Sequence, residues 1–327
     1  MNLPHSPFTT PLSSSVRETE LRIRSILQWK KRRPPLPALI LALLLVLLCG
    51  GLVSCQAQAE EEPPDTDLIS LPVKGEVAVS PEDETLWDQL SPEQQALLAD
   101  LPVSQLPREA VDLDSVTSED IWQGTLLPAH FDPETDTTLY LVLANNEKAK
   151  GLSYGLVLRH LDQAAYFPLP YSVYYSYGSF WMETGDFNGD GHWDAAVCLL
   201  WGHGTGVYVE SLYLFDLETL TYAVPDFSSL AEATASYDPE TGTATLQIGS
   251  SSVTVPLPEE HPPVEQVGFG DQVRYSYWDG QISCQLGFDF SGMLTGYYVQ
   301  GSAPILWKDG RYQLGSMALS QNDAYYP

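Results

Sequence analysis

Positive charge is what this chain lacks most. Its 327 residues include 15 Lys and Arg against 43 Asp and Glu, a formal net charge of -28. Nucleic acid is excluded as a partner, because like charges repel across such an interface. Electrostatic attraction to anionic lipid headgroups is excluded for the same reason. Seven of the 15 basic residues, Arg17, Arg22, Arg24, Lys30, Lys31, Arg32 and Arg33, stand before residue 34. The remainder is therefore more acidic than the total implies, and it favours cations.

Cysteine is scarce too. There are four, and only Cys198 and Cys284 lie beyond the N-terminal region. Their spacing excludes the C-x-x-C redox motif. In an exported domain they could form one disulfide, or stay as two buried thiols. Catalytic signatures are also missing. There is no G-x-S-x-G elbow, no H-E-x-x-H, no phosphate loop and no dinucleotide fingerprint. The expectation is a chain that is not an enzyme. Apolar residues make up 44 % of it, enough for a substantial core.

The N-terminus reads as an address. A basic cluster, Lys30 to Arg33, precedes an apolar run from Leu36 to Leu48, and small residues follow up to Cys55. That order is the one a secretory signal uses. Leu52-Val53-Ser54-Cys55 resembles a bacterial lipobox, in which the Cys thiol receives a diacylglycerol and a peptidase cuts just before it. The resemblance implies lipidation at Cys55 and a chain held on the outer side of the cell membrane. An uncleaved helix is the alternative, since the 22 residues between Arg33 and Gln56 can just span a bilayer.

Residues 1–54 are thus read as the signal peptide. Residues 55–79 are acidic and contain Pro, and are read as a disordered tether. Residues 80–119 carry two helix starts, at Ser80-Pro81-Glu82-Asp83 and Ser91-Pro92-Glu93-Gln94. Each has an N-cap Ser, Pro at the first helical position and acids in the first turn. From residue 120 to 327 the pattern is mainly β. The segments TTLYLVLAN, YGLVLRHL, DAAVCLLW and VYVESLYLF are rich in β-branched, aromatic and Leu residues. Asp279-Gly280 and Asp309-Gly310 predict tight hairpins. A weak repeat aligns Leu158–Tyr166 with Leu214–Tyr222 and, more loosely, Phe288–Tyr297. The expected fold class is antiparallel β, either hairpins of propeller-blade type or a sandwich.

The densest chemistry is GDFNGDGHWD, Gly185 to Asp194. Oxygen-bearing side chains at Asp186, Asn188, Asp190 and Asp194 fall in one short loop. Hard cations need several oxygen ligands close together, and alternate loop positions supply them. His192 would contribute its backbone carbonyl. The loop is not an EF-hand, because its twelfth position is Val197 rather than Glu and strand-like runs flank it. The stretch from about Ser179 to Leu212 resembles the calcium loop of FG-GAP/VCBS-type repeats, with the pattern D-x-[DN]-x-D-G-x-x-D entering an apolar strand. That resemblance implies one structural Ca2+ held by these five residues. One copy of the loop is found.

Two further features invite function. His203, in WGHGTG, could mark a hydrolase pocket, and its other reading is a turn between strands. Tyr171 to Trp181 is dense in aromatics, and an exposed Tyr174 would offer a ring to a glycan. The expected role is recognition or assembly at the cell surface, through a surface protein or glycan partner. A cell-wall-binding module and an extracellular hydrolase are the alternatives.

Overall fold

The structure, a computed structural model, describes residues 68–75, 77, 86–143, 152–174, 180–258, 264–290 and 297–323. The chain divides into two units, 1–64 and 65–327, and every described residue lies in the second. Cys55, residues 1–54 read as a signal peptide and the helix start expected at Ser80 lie outside the described residues. So do residues 175–179 and the side chain of Tyr174. Among the described residues no helix is long and apolar enough to cross a membrane.

The fold is mainly β, and it is built from up-and-down meanders. The first runs through β3 (Leu126–Asp132), β4 (Thr137–Val142), β5 (Leu152–His160) and β6 (Gln163–Tyr174). The second runs through β7 (Phe180–Gly185), β8 (Asp194–Gly204), β9 (Val207–Asp216) and β10 (Thr221–Ala223). A third joins β11 (Thr234–Asp238), β12 (Thr243–Ile248) and β13 (Ser251–Pro256). Its outer edge is closed by β1 (Ile69–Leu71), antiparallel to β11. The last contains β14 (Val267–Trp278), β15 (Gln281–Asp289), β16 (Val299–Lys308) and β17 (Arg311–Leu314). In it, β18 (Ala318–Gln321) also pairs with β16.

Three of these meanders share one sheet of 14 strands. Tyr174 opposite Leu200 links β6 to β8. A short parallel ladder, Tyr208 with Gln272 and Val209 with Val273, links β9 to β14. The same edge of β14 also takes β2 (Val73–Gly75) in parallel. Two described strands, β1 and β2, therefore lie inside the stretch 55–79 that reads as tether. Three-residue strands carry no periodicity, and β1 and β2 exist because longer strands offer them an edge.

Turn chemistry sets the hairpins. At Asp279-Gly280 φ is 51° and 79°, and at Asp309-Gly310 it is 54° and 78°. Two consecutive positive values make the type I′ turn that matches strand twist. The repeat segments Leu158–Tyr166 and Leu214–Tyr222 are the β5–β6 and β9–β10 hairpins.

The strands β8 and β9 separate two cores. Ala195, Val197 and Leu199 of β8 pack with Tyr213 and Phe215 of β9 against the first meander. The alternate residues Ala196 and Cys198, with Leu212 and Leu214, pack against the third and last meanders. A strand buried on both faces reads as a continuous apolar run, as DAAVCLL does. Cys198 and Cys284 are both buried free thiols in the second of these cores.

The short helix α1 (Pro92–Ala99) begins as its sequence predicts. Ser91 Oγ accepts from Gln94 N, and the Gln94 side chain accepts from Ser91 N. This capping box satisfies two of the free donors of the first turn. Leu90, Leu98 and Leu106 then cover Leu126, Tyr140, Val142 and Val157 on the outer face of the first meander. Gln94 Nε2 donates to Leu143 O at 2.8 Å, which fastens the helix to that sheet.

Candidate metal-binding loop

The acidic loop connects β7 to β8, so it opens the strand buried on both faces. β7 is held against β8 from Phe180 opposite Leu199 to Gly185 opposite Asp194. The chain leaves that ladder and must return within eight residues. Gly189 and Gly191 make this possible with φ of 75° and 89°, values that cost a residue with a Cβ.

Each acid has a defined set of partners. Asp186 Oδ1 accepts from Gly189 N at 2.7 Å and Asp190 N at 3.1 Å, and its Oδ2 accepts from Gly191 N at 3.0 Å. Asp190 Oδ1 accepts from His192 N at 2.8 Å. Asn188 Oδ1 accepts from Asp190 N, while its Nδ2 donates to Asp190 Oδ2, both at 2.9 Å. The side chains thus curl the backbone inward, as short polar side chains do in turns.

Asp194 differs from the others because it is buried, at 2 % exposure. Its Oδ2 accepts from Phe187 N at 2.9 Å, Asn188 N at 3.2 Å and Tyr312 Oη at 3.3 Å. Burial is the largest influence on this carboxyl and pushes its pKa up to about 6 despite those three donors; the charge of Asp190 adds to the rise. Tyr312, on β17, is pushed up as well, by burial and then by the charges of Asp194, Asp190 and Asp186. Three carboxylates therefore act on one buried phenol. The sequence between Arg159 and Arg274 contains no Lys or Arg. His192 Nδ1 lies 2.6 Å from Glu218 Oε1, an exposed pair that contributes little.

This donor set fits a hard divalent cation by its chemistry. All the side-chain donors are oxygens, they alternate along a curled loop, and their negative charge has no basic neighbour in sequence. Among the described residues no group of three or more His, Cys, Asp or Glu converges into a metal-binding cluster. The loop's carboxylates instead accept hydrogen bonds from its own amides.

The other sequence candidates fall in different places. His203 stands opposite Tyr208 in the β8–β9 hairpin. It lines a shallow cleft of about 350 Å³ with Tyr208, Gln272 and Arg274. Val173, next to Tyr174, is fully buried.

The sequence reading missed the residues that flank the loop. Phe187 stacks edge-on against Tyr277 at 6.1 Å, and Tyr312 stands in the same way against Trp307 at 4.7 Å. Phe187, Trp307 and Tyr312, with Asp186, Ile282 and Leu306, line a cleft of about 140 Å³. The loop thus rests on the hairpin tips β14–β15 and β16–β17, whose Asp-Gly signals were visible but whose position was not.

No protein-family model, curated protein or solved structure matches this chain.

Proposed function

We propose that the chain is a bacterial cell-surface lipoprotein, anchored through Cys55, that acts by binding in recognition or assembly outside the membrane. Its β unit folds around one structural Ca2+. Asp186, Asn188, Asp190, the backbone carbonyl of His192 and Asp194 hold the ion. The observation that carries this reading is the place of the acidic loop at the mouth of β8, with Asp194 buried among donors too weak to keep its carboxyl in the ordinary range. A bound Ca2+ supplies positive charge there. The chain's own residues do the rest. Asp186 orders the loop amides, and Asp194 fixes the start of the strand on which two cores pack.

An ion that binds only the folded state stabilises it by mass action. Millimolar Ca2+ should therefore raise the melting temperature of the unit 65–327, and chelator should reverse the rise. Asp190→Ala should remove the effect. Equal melting temperatures with calcium and with chelator would sink the proposal. Anchoring has its own test: Cys55→Ala should move the full chain out of the membrane fraction, and retention there would favour an uncleaved helix.

A glycan-binding role is the second reading. It is favoured by Trp307, which is 41 % exposed on the cleft that Asp186 also lines. Exposed aromatic faces beside a carboxylate suit sugar rings and their hydroxyls. Retention on cell-wall polysaccharide that Trp307→Ala abolishes would support it. No retention on any glycan would remove it.

A further inference from the structure

A second site lies away from the acidic loop, where the large sheet forks. The β9–β14 ladder consists of Tyr208 with Gln272 and Val209 with Val273. The next donor on β14, Tyr275 N, bonds the Glu210 carboxylate at 2.6 Å instead of a β9 carbonyl. Glu210 is buried, and its other oxygen accepts from Tyr208 Oη at 3.1 Å. Its side chain therefore stands between the two backbones and wedges them apart. On the N-terminal side β14 bulges between Phe269 and Val273, with Gly270 at φ 110°, and passes to β2. The gap between β2 and the diverging β9 is a cavity of about 540 Å³.

That volume falls in the range of small-molecule sites, roughly 300 to 1,000 Å³. The walls are mainly apolar: Leu212 of β9, Phe269 of β14, and Phe227 and Leu230 from the 3₁₀ turn Ser228–Glu232 and its lead-in. Two lining side chains are charged. Asp226 is already engaged, by Arg311 at 2.6 Å and by Ser228 N at 2.7 Å. Lys74 of β2 is exposed and is the one cationic residue of the lining. An exposed ammonium at the rim of an apolar cavity attracts an anionic head locally.

We propose that this fork cavity binds a small amphipathic anion, an alkyl or aryl body whose acidic head meets Lys74. The apolar body buries against Leu212, Leu230 and Phe269, and the head stays at the rim. The assignment is independent of the calcium reading, since none of the loop residues lines this cavity.

The test protein is the unit 65–327, which contains every hydrophobic cluster of the described residues. The probe is 1-anilinonaphthalene-8-sulfonate, with dodecanoate as competitor. Saturable one-site fluorescence that dodecanoate displaces is expected. Lys74→Glu should weaken it by about tenfold or more, through loss of the cation and repulsion of the head. Ala231→Trp, an exposed lining position, should fill the mouth and abolish it. Trp278→Ala, at an aromatic 83 % exposed and outside this lining, should leave it unchanged. Circular dichroism and melting temperature establish that each variant folds. Absence of saturable binding, or no displacement by dodecanoate, would overturn the proposal. So would binding that both Lys74→Glu and Ala231→Trp retain, or that Trp278→Ala removes.

Discussion

Replacing Glu210 by Ala should destabilise the protein by about 2 to 3 kcal/mol. Glu210 is 5 % exposed, and its carboxylate accepts from Tyr275 N at 2.6 Å and Tyr208 Oη at 3.1 Å. Tyr208 is half-buried and lines an open cleft, so it can turn toward water. The Tyr275 amide is at the fork of the sheet and cannot. A buried donor left without its acceptor costs about 1–3 kcal/mol, and the vacated side-chain volume adds to that. For a domain of this size the loss corresponds to a fall in melting temperature of about 2–4 °C per kcal/mol. Glu210→Gln keeps an acceptor oxygen in the same place and should stay within about 1 kcal/mol of the parent at neutral pH. The pH dependence gives a separate check on the buried carboxyl. Burial raises the Glu210 carboxyl above its ordinary value of 4.5, so the folded state favours the protonated form. That contribution is complete below the ordinary value and declines as pH rises through the raised one. The decline should be absent in Glu210→Gln. Chemical denaturation at several pH values measures all of this. A Glu210→Ala stability within about 0.5 kcal/mol of the parent, the range of an ordinary surface change, would refute the wedge.

Three other outcomes follow from the same structure. Asp136→Ala should cost about 3 kcal/mol, because it takes the carboxylate from the guanidinium of Arg159, 1 % exposed and held at 3.1 Å, and leaves it the carbonyl of residue 136; adding Arg159→Met should recover part of the loss in denaturation curves. Ser91→Ala should cost about 1 kcal/mol and speed amide exchange in α1 while leaving the strands protected, since it removes one half of the capping box. Gly280→Ala should lower stability by about 1 kcal/mol in thermal unfolding, because φ is 79° there and the added Cβ meets no neighbour that could compensate.

Local chemistry was legible in the sequence wherever a residue's own backbone preference decided the outcome. The Asp-Gly hairpins, the Ser91 cap and the apolar strands β4, β5, β8 and β9 are of this kind. What stayed hidden depends on partners far along the chain. β1 and β2 take their strand geometry from β11 and β14, more than 150 residues away. Glu210 sits in VYVESLYLF, where a single acid reads as an outward-facing side chain; only the parallel approach of β14 turns it into a wedge. The acidic loop was legible as a cluster and as a turn, because Asp, Asn and Gly act on their own backbone. The burial of Asp194 and its contact with Tyr312, 118 residues on, come from tertiary packing.

Calorimetric titration of Ca2+ into metal-free unit 65–327 tests the central proposal most directly. One ion per chain is expected, with the heat lost in both Asp186→Ala and Asp190→Ala. A flat titration with the parent protein would contradict it, and so would an unchanged isotherm in those two variants.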